Sequence, residues 1–242
     1  MDRIFNRKVG TALGLFFLFA IWAFWPKYFS KPFSQADWRF HFHGLTLVAW
    51  CVLMVVQAYL IAAGKRPVHR KVGKLSYVVA PLVIVSTLSL AHYSLAPLVP
   101  SSDIYFQLSL PVCMLAKFSF AYGQAMYHRR RPTIHARFMV CTALVMITPI
   151  FDRILQFYLL PPEKAWFLPT VGGAPAYTLI SFAAADIILL LLAVWDWRTR
   201  QSLRVFPIVL AVWIGLQGLT YILPYTAFWQ TFTTSFLRLP LS

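Results

Sequence analysis

The chain has 242 residues, 60% of them hydrophobic and only 12% charged, yet its formal net charge is +15. A helical crossing of the hydrocarbon core needs about 20 mostly apolar residues, and this composition supplies several such stretches, which excludes a water-soluble globular protein. The charge does not point to nucleic acid, because the cations flank apolar segments and form no single aromatic-laced basic patch. Juxtamembrane Lys and Arg are attracted to an anionic leaflet by about 1 kcal/mol each, and that attraction accounts for the surplus.

In chain order, the apolar stretches predict seven transmembrane helices over 10–25, 44–63, 75–95, 105–127, 136–159, 177–197 and 205–223. The fold class is all-α integral membrane, in one polytopic domain. The first stretch has the basic start and apolar run of a secretory signal. Ile21-Trp22-Ala23-Phe24-Trp25-Pro26, however, puts bulky aromatics where cleavage needs small residues. The expectation is a retained signal anchor, with a cleaved signal as the alternative.

The connections alternate in charge. Arg3, Arg7, Lys8, Lys65, Arg66, Arg70, Lys71, Lys74, Arg129, Arg130, Arg131, Arg137, Arg198, Arg200 and Arg204 fall on one side, and Lys27, Lys31, Arg39, Lys164 and Arg238 on the other. Cytoplasmic loops carry the excess of Lys and Arg, so a bacterial inner-membrane protein with its N-terminus inside and its C-terminus outside is expected. The aromatic-rich and Pro-rich connection from Pro26 to His43 should lie along the interface. Pro161-Pro162 and Gly172-Gly173 mark the connection from Pro161 to Pro175 as a compact cap or lid.

A short repeat links spans two and three to spans four and five. Gln57 leads through Lys65-Arg66-Pro67-Val68-His69 into one ascending helix, and Gln124 leads through Arg130-Arg131-Pro132-Thr133-Ile134-His135 into the other. Pro at a helix start has its own structural reason, because its missing amide costs nothing there. The paired His and Gln residues have no such explanation. They predict a four-helix bundle core of helices 2–5, built from two duplicated hairpins.

Ionisable groups at membrane depth are costly and are functional candidates by default. Lys117 and Asp186 fall at similar depth near mid-membrane and read as a buried pair, either a helix tie or part of a proton or ion path. Asp152 and Arg153 fall in the external third; neighbours on a helix point about 100° apart, so the two cannot aim at one partner. Cys51, Cys113 and Cys141 lie inside spans and form no C-x-x-C pair, so they read as packing residues.

All six histidines lie near a membrane face: His41, His43 and His92 on the external side, His69, His128 and His135 on the cytoplasmic side. Two stacked imidazole sites in a helical bundle are the arrangement of a diheme b-type electron carrier, with His69 and His135 for an inner haem b and His43 and His92 for an outer one. A second chemistry fits the external set: His41, His43, His92 and Asp152 supply N and O ligands for zinc or another divalent metal, and an open position would make the site hydrolytic. On a helix, the His41-x-His43 side chains would diverge by about 200°. A cofactor-free transporter or assembly factor is the third reading, carried by Lys117, Asp186, Pro81, Pro149 and the repeat. No H-E-x-x-H, P-loop or G-x-S-x-G is present, so whether the chain is an enzyme stays open.

His69-Arg70-Lys71-Val72-Gly73 and His135-Ala136-Arg137-Phe138-Met139, with Arg153 beyond, resemble the motifs of a family of uncharacterised bacterial multi-pass membrane proteins over roughly residues 42–160. That family is distantly similar to the cytochrome b561 and ferric-reductase class of four-helix haem bundles. The resemblance implies haem and a redox partner or quinone. This chain lacks the regularly spaced His pairs within spans that mark the class.

Overall fold

The computed structural model describes residues 7–31, 37–161, 168, 170–171, 174–175, 177–199 and 204–241. Seven helices among them are long and apolar enough to cross a membrane: Lys8–Phe29, Trp38–Ala62, Arg66–Leu95, Ser102–Tyr127, Pro132–Leu159, Tyr177–Arg198 and Val205–Tyr225. Large apolar side chains such as Leu15, Leu45, Val78, Leu191 and Ile222 are exposed along them. Such a surface suits lipid and would be a liability in water. The protein is a multi-pass helical membrane protein.

The chain forms two compact units, Met1–Leu90 and Ala91–Ser242. The two hairpins of the sequence repeat are divided between them. Spans two and three lie largely in the first unit, and spans four and five lie in the second.

The first unit begins with α1 (Arg7–Phe24), which continues into a π-helical turn at Trp25–Phe29. It packs along α2 (Trp38–Ala62) through small residues. A Cβ on Gly10 would stand 3.1 Å from the Tyr59 ring, and one on Gly44 would stand 2.9 Å from the Tyr28 hydroxyl. Within a membrane, helices associate by van der Waals packing and hydrogen bonds, so close approach at Gly is how such a contact forms. Asp37 caps α2 by accepting from the Arg39 amide at 2.8 Å. At the other end Gly64, at φ 73°, takes the left-handed turn, and Lys65 N–H donates to Leu60 at 2.9 Å to close a Schellman motif. The chain then forms α3 (Arg66–Gly73) and α4 (Ser76–Leu95).

In the second unit α5 (Ser102–Tyr127) is capped by Ser101 and runs unbroken through Pro111. The fifth span does break, into α6 (Pro132–Leu144) and α7 (Ile147–Ile154). Pro149 offers no amide and crowds the carbonyl four residues earlier, so the helix yields at Val145 and Met146. After a π-helical turn at Leu155–Leu159 comes a two-residue antiparallel ladder, β1 (Thr170–Val171) with β2 (Ala174–Pro175). Pro162 and Gly172-Gly173, on which the expectation of a cap or lid rests, lie outside the described residues.

The second unit continues with α8 (Tyr177–Arg198) and α9 (Val205–Ile222). A 3₁₀ turn at Leu223–Tyr225 then leads into α10 (Ala227–Leu237). This last helix is an addition to the expected seven: Thr226 caps it, and Trp229 donates its indole N–H to the Tyr105 carbonyl at 2.9 Å. Ala121, Ala125, Cys141, Ala185 and Val209 are fully buried, so small side chains line the helix contacts here as well.

Candidate functional site

Several buried polar residues of the second unit lie on α5, α8 and α9. Lys117 of α5 is 1% exposed. Its ammonium lies 4.3 Å from the centroid of the Phe182 ring and 5.4 Å from that of Trp213. The negative faces of aromatic rings attract a desolvated cation by about 2 kcal/mol, which offsets part of the cost of burying it. One helical turn beyond Phe182 stands Asp186, whose Oδ1 accepts from Gln217 at 3.0 Å.

The expected buried pair of Lys117 and Asp186 interacts electrostatically but makes no direct hydrogen bond or ion-pair contact. The Asp186 carboxylate takes its hydrogen bond from Gln217, and the Lys117 ammonium sits over rings, with no hydrogen bond or ion pair among the described residues. Both lie within membrane-spanning helices, but α8 presents Phe182 to Lys117 in place of the carboxylate. Two further donors nearby, Trp213 Nε1 and the Tyr221 hydroxyl, are buried with no hydrogen-bond partner among the described residues. Tyr221 packs at a tilt against Phe106 and meets Phe182 edge-on, at centroid distances of 5.4 and 6.3 Å. On α7, Asp152 accepts from Ser181 of α8 at 2.6 Å. Adjacent Arg153 is partly buried.

A second polar contact was not among the expected site residues. Arg137 is fully buried and grips Asp196 with two hydrogen bonds, Nε to Oδ2 at 2.7 Å and Nη2 to Oδ1 at 2.8 Å. The third guanidinium nitrogen donates to the Thr133 carbonyl at 3.0 Å. The signal was present in the sequence, since Asp196 is an acid inside an otherwise apolar stretch, but it reads as the end of a span.

The histidines divide between the units, with His41, His43 and His69 in the first and His92, His128 and His135 in the second. His135 donates its Nδ1–H to the Ala125 carbonyl at 2.8 Å. A carbonyl can only accept, so Nδ1 carries the proton and Nε2 keeps its lone pair. His43 Nδ1 lies 3.4 Å from both the Ser86 and the Thr87 hydroxyls. The Thr87 proton goes to the Val83 carbonyl at 2.7 Å, so Thr87 accepts from His43 and again Nε2 is left bare. His92 Nε2 is buried without a partner among the described residues, and its ring packs edge-on against Phe236. His69 lies on α3, where a break at Lys74 and Leu75 sets it apart from α4.

The external metal set does not gather. His41 and His43 sit on the first turns of α2, so they diverge as helix geometry demands. His41 goes to Tyr28 at 3.2 Å while His43 goes to Ser86 and Thr87. Among the described residues no group of three or more His, Cys, Asp or Glu is placed to hold a metal ion.

The repeat residues Gln57 and Gln124 take different roles. The Gln57 amide, both polar atoms buried and without partners among the described residues, lies against Gly73, where a Cβ would stand 3.4 Å from its Nε2. Gln124 lines an open cleft of about 350 Å³ between α5, α6 and α9.

No family model, no curated protein and no solved structure matches this chain.

Proposed function

We propose that this is an inner-membrane protein, N-terminus inside and C-terminus outside, that moves protons through its second unit, with Lys117 as the exchanging group. The observation that carries the reading is the Lys117 ammonium buried over Phe182 and Trp213 without an acceptor. A structural lysine at this depth would be locked to a carboxylate, because an unpaired charge in a low-dielectric interior is costly. Lys117 instead has a weak aromatic partner for its charged form, while the Asp186 carboxylate attracts it electrostatically but is hydrogen-bonded by Gln217 and not by the ammonium. That arrangement lets the amine gain and lose a proton without breaking a strong ion pair. A proton suits the site better than a metal cation, which the ammonium would repel.

The test is reconstitution of the purified protein in vesicles containing a pH-sensitive dye, with an imposed potassium diffusion potential. Wild-type vesicles should acidify or alkalinise at least tenfold faster than empty ones, and Lys117→Met should return the rate to the leak. Equal rates for wild type and Lys117→Met, with both proteins monodisperse, would refute the reading.

A second reading, b-type haem ligation with a redox partner or quinone, has its own support in the histidine tautomers. Neutral imidazole binds haem iron through one nitrogen while the other donates to a carbonyl or hydroxyl that orients the ring. His135 and His43 are both held in this way, and His92 offers a buried unpartnered Nε2. When bound, such a haem would accept and donate single electrons. The candidate ligands are His43 and His69 in the first unit and His92 and His135 in the second. An absorption spectrum of protein expressed with haem precursor, oxidised and then reduced with dithionite, decides it: a Soret band lost in His135→Ala supports ligation, and a flat wild-type spectrum removes it.

A further inference from the structure

The open cleft between α5, α6 and α9 lies at the end of the second unit where Arg129, Arg130 and Arg131 gather. Its apolar side is made by Phe120, Phe138 and Ile208, and its polar side by Gln124, His128 and Arg204. The apolar side is packed: Phe138 is buried, meets Phe120 edge-on at 6.3 Å and stacks on the His128 ring at 6.0 Å.

The polar side is partly buried at Gln124 and His128 and exposed at Arg204. None of the Gln124, His128 and Arg204 side chains has a hydrogen bond or ion pair among the described residues. Arg204 also stands at the N-terminal end of α9, which has no side-chain cap, so the positive end of that helix opens toward the same place. A guanidinium, an amide and an imidazole around an apolar wall are complementary to an oxyanion attached to a hydrocarbon chain. Basic pockets between transmembrane helices near the cytoplasmic face recognise phosphate headgroups by this combination.

We propose that this cleft is a specific site for one anionic phospholipid, with its phosphate on Arg204, His128 and Gln124 and its first acyl carbons against Phe120, Phe138 and Ile208. The site goes beyond the proton reading and does not depend on it.

The experiment is native mass spectrometry of the purified full-length protein in mild detergent. It is titrated with phosphatidylglycerol or with phosphatidylcholine of identical acyl chains. One phosphatidylglycerol should be retained at least tenfold more tightly than phosphatidylcholine. Arg204→Gln should abolish that preference, while Arg70→Gln, which removes an exposed cation from the first unit, should leave it intact. Equal retention of the two lipids, or an unchanged preference in Arg204→Gln, would overturn the proposal. Displacement of the lipid by an equal concentration of glycerol phosphate would overturn it as well, by assigning the site to a soluble phosphate compound.

Discussion

Arg137 and Asp196 form a two-point ion pair, 2.7 and 2.8 Å, that joins α6 to α8 with neither side chain reaching solvent. Burying two charges costs several kcal/mol each, and a pair this well matched recovers it only while both partners are present. Arg137→Met or Asp196→Leu alone should therefore lower stability by about 3 to 5 kcal/mol, because each strands one charge. The double substitution should be milder than the sum of the two. Thermal unfolding of the four proteins in one detergent gives the coupling directly, and strict additivity would show that the pair contributes nothing.

The cap over Lys117 leads to a different expectation. Phe182→Leu and Trp213→Leu keep the site apolar but remove the ring faces that attract the ammonium, each loss costing about 0.5 to 2 kcal/mol in addition to lost packing. In a Lys117→Met background the cation is gone, so only the packing part should remain. The aromatic substitutions should thus be less damaging in that background than in wild type. A double-mutant cycle from chemical unfolding checks this, and equal losses in the two backgrounds would mean that the rings serve packing alone.

The spans were legible because twenty-residue apolar runs have few alternatives, and their boundaries failed in one direction. Span two starts at Trp38 and span three at Arg66, well before 44 and 75, because hydrogen bonding continues through polar turns that hydropathy reads as loop. The break at Val145 and Met146 was announced by Pro149, yet Pro111 breaks nothing. The placement of Lys117 and Asp186 within spans was legible as well, since both fall inside long apolar runs. Their partners were not, because rotation of α8 about its axis decides whether Phe182 or Asp186 faces Lys117, and that rotation depends on packing far from either residue. Asp196 escaped notice because its partner Arg137 reads as one more juxtamembrane cation. The H-x-H motif suggested a metal site only for as long as its backbone was unknown.

Gly44 gives a third prediction. Its Cα hydrogen faces Tyr28, whose hydroxyl lies 3.2 Å from His41 Nδ1, and an added methyl would stand 2.9 Å from the hydroxyl and 3.0 Å from Cζ. Gly44→Ala should push the ring aside and break the Tyr28 to His41 contact, at a cost of about 1 kcal/mol. Gly44→Val, larger and stiff at χ1, should cost more by forcing α2 from the π-helical turn at Trp25–Phe29. Gly14, which has open space where its Cβ would be, should accept Ala without loss. Melting temperatures of the three variants make the comparison, and a Gly44→Ala protein as stable as wild type would contradict the contact.

The tautomer of His135 can be read without any cofactor. Its Nδ1 donates to the Ala125 carbonyl, so the neutral ring must hold its proton on Nδ1, which is the minority form of histidine in water. Nitrogen-15 spectra of His-labelled protein above neutral pH should show the rings of His135 and His43 with a protonated Nδ1 and a bare Nε2, and one of these two signals should vanish in His135→Ala. The bond also ties the first turn of α6 back to the last turns of α5, across the connection that carries Arg129 to Arg131. His135→Gln cannot restore the same geometry, so it should loosen this hairpin and increase protease cutting at Arg129 or Arg130, while His128→Gln should not. If haem is bound, the same labelled ring should shift on reduction of the iron; if it is not, the Nδ1–H signal should be present in the protein as purified and insensitive to dithionite.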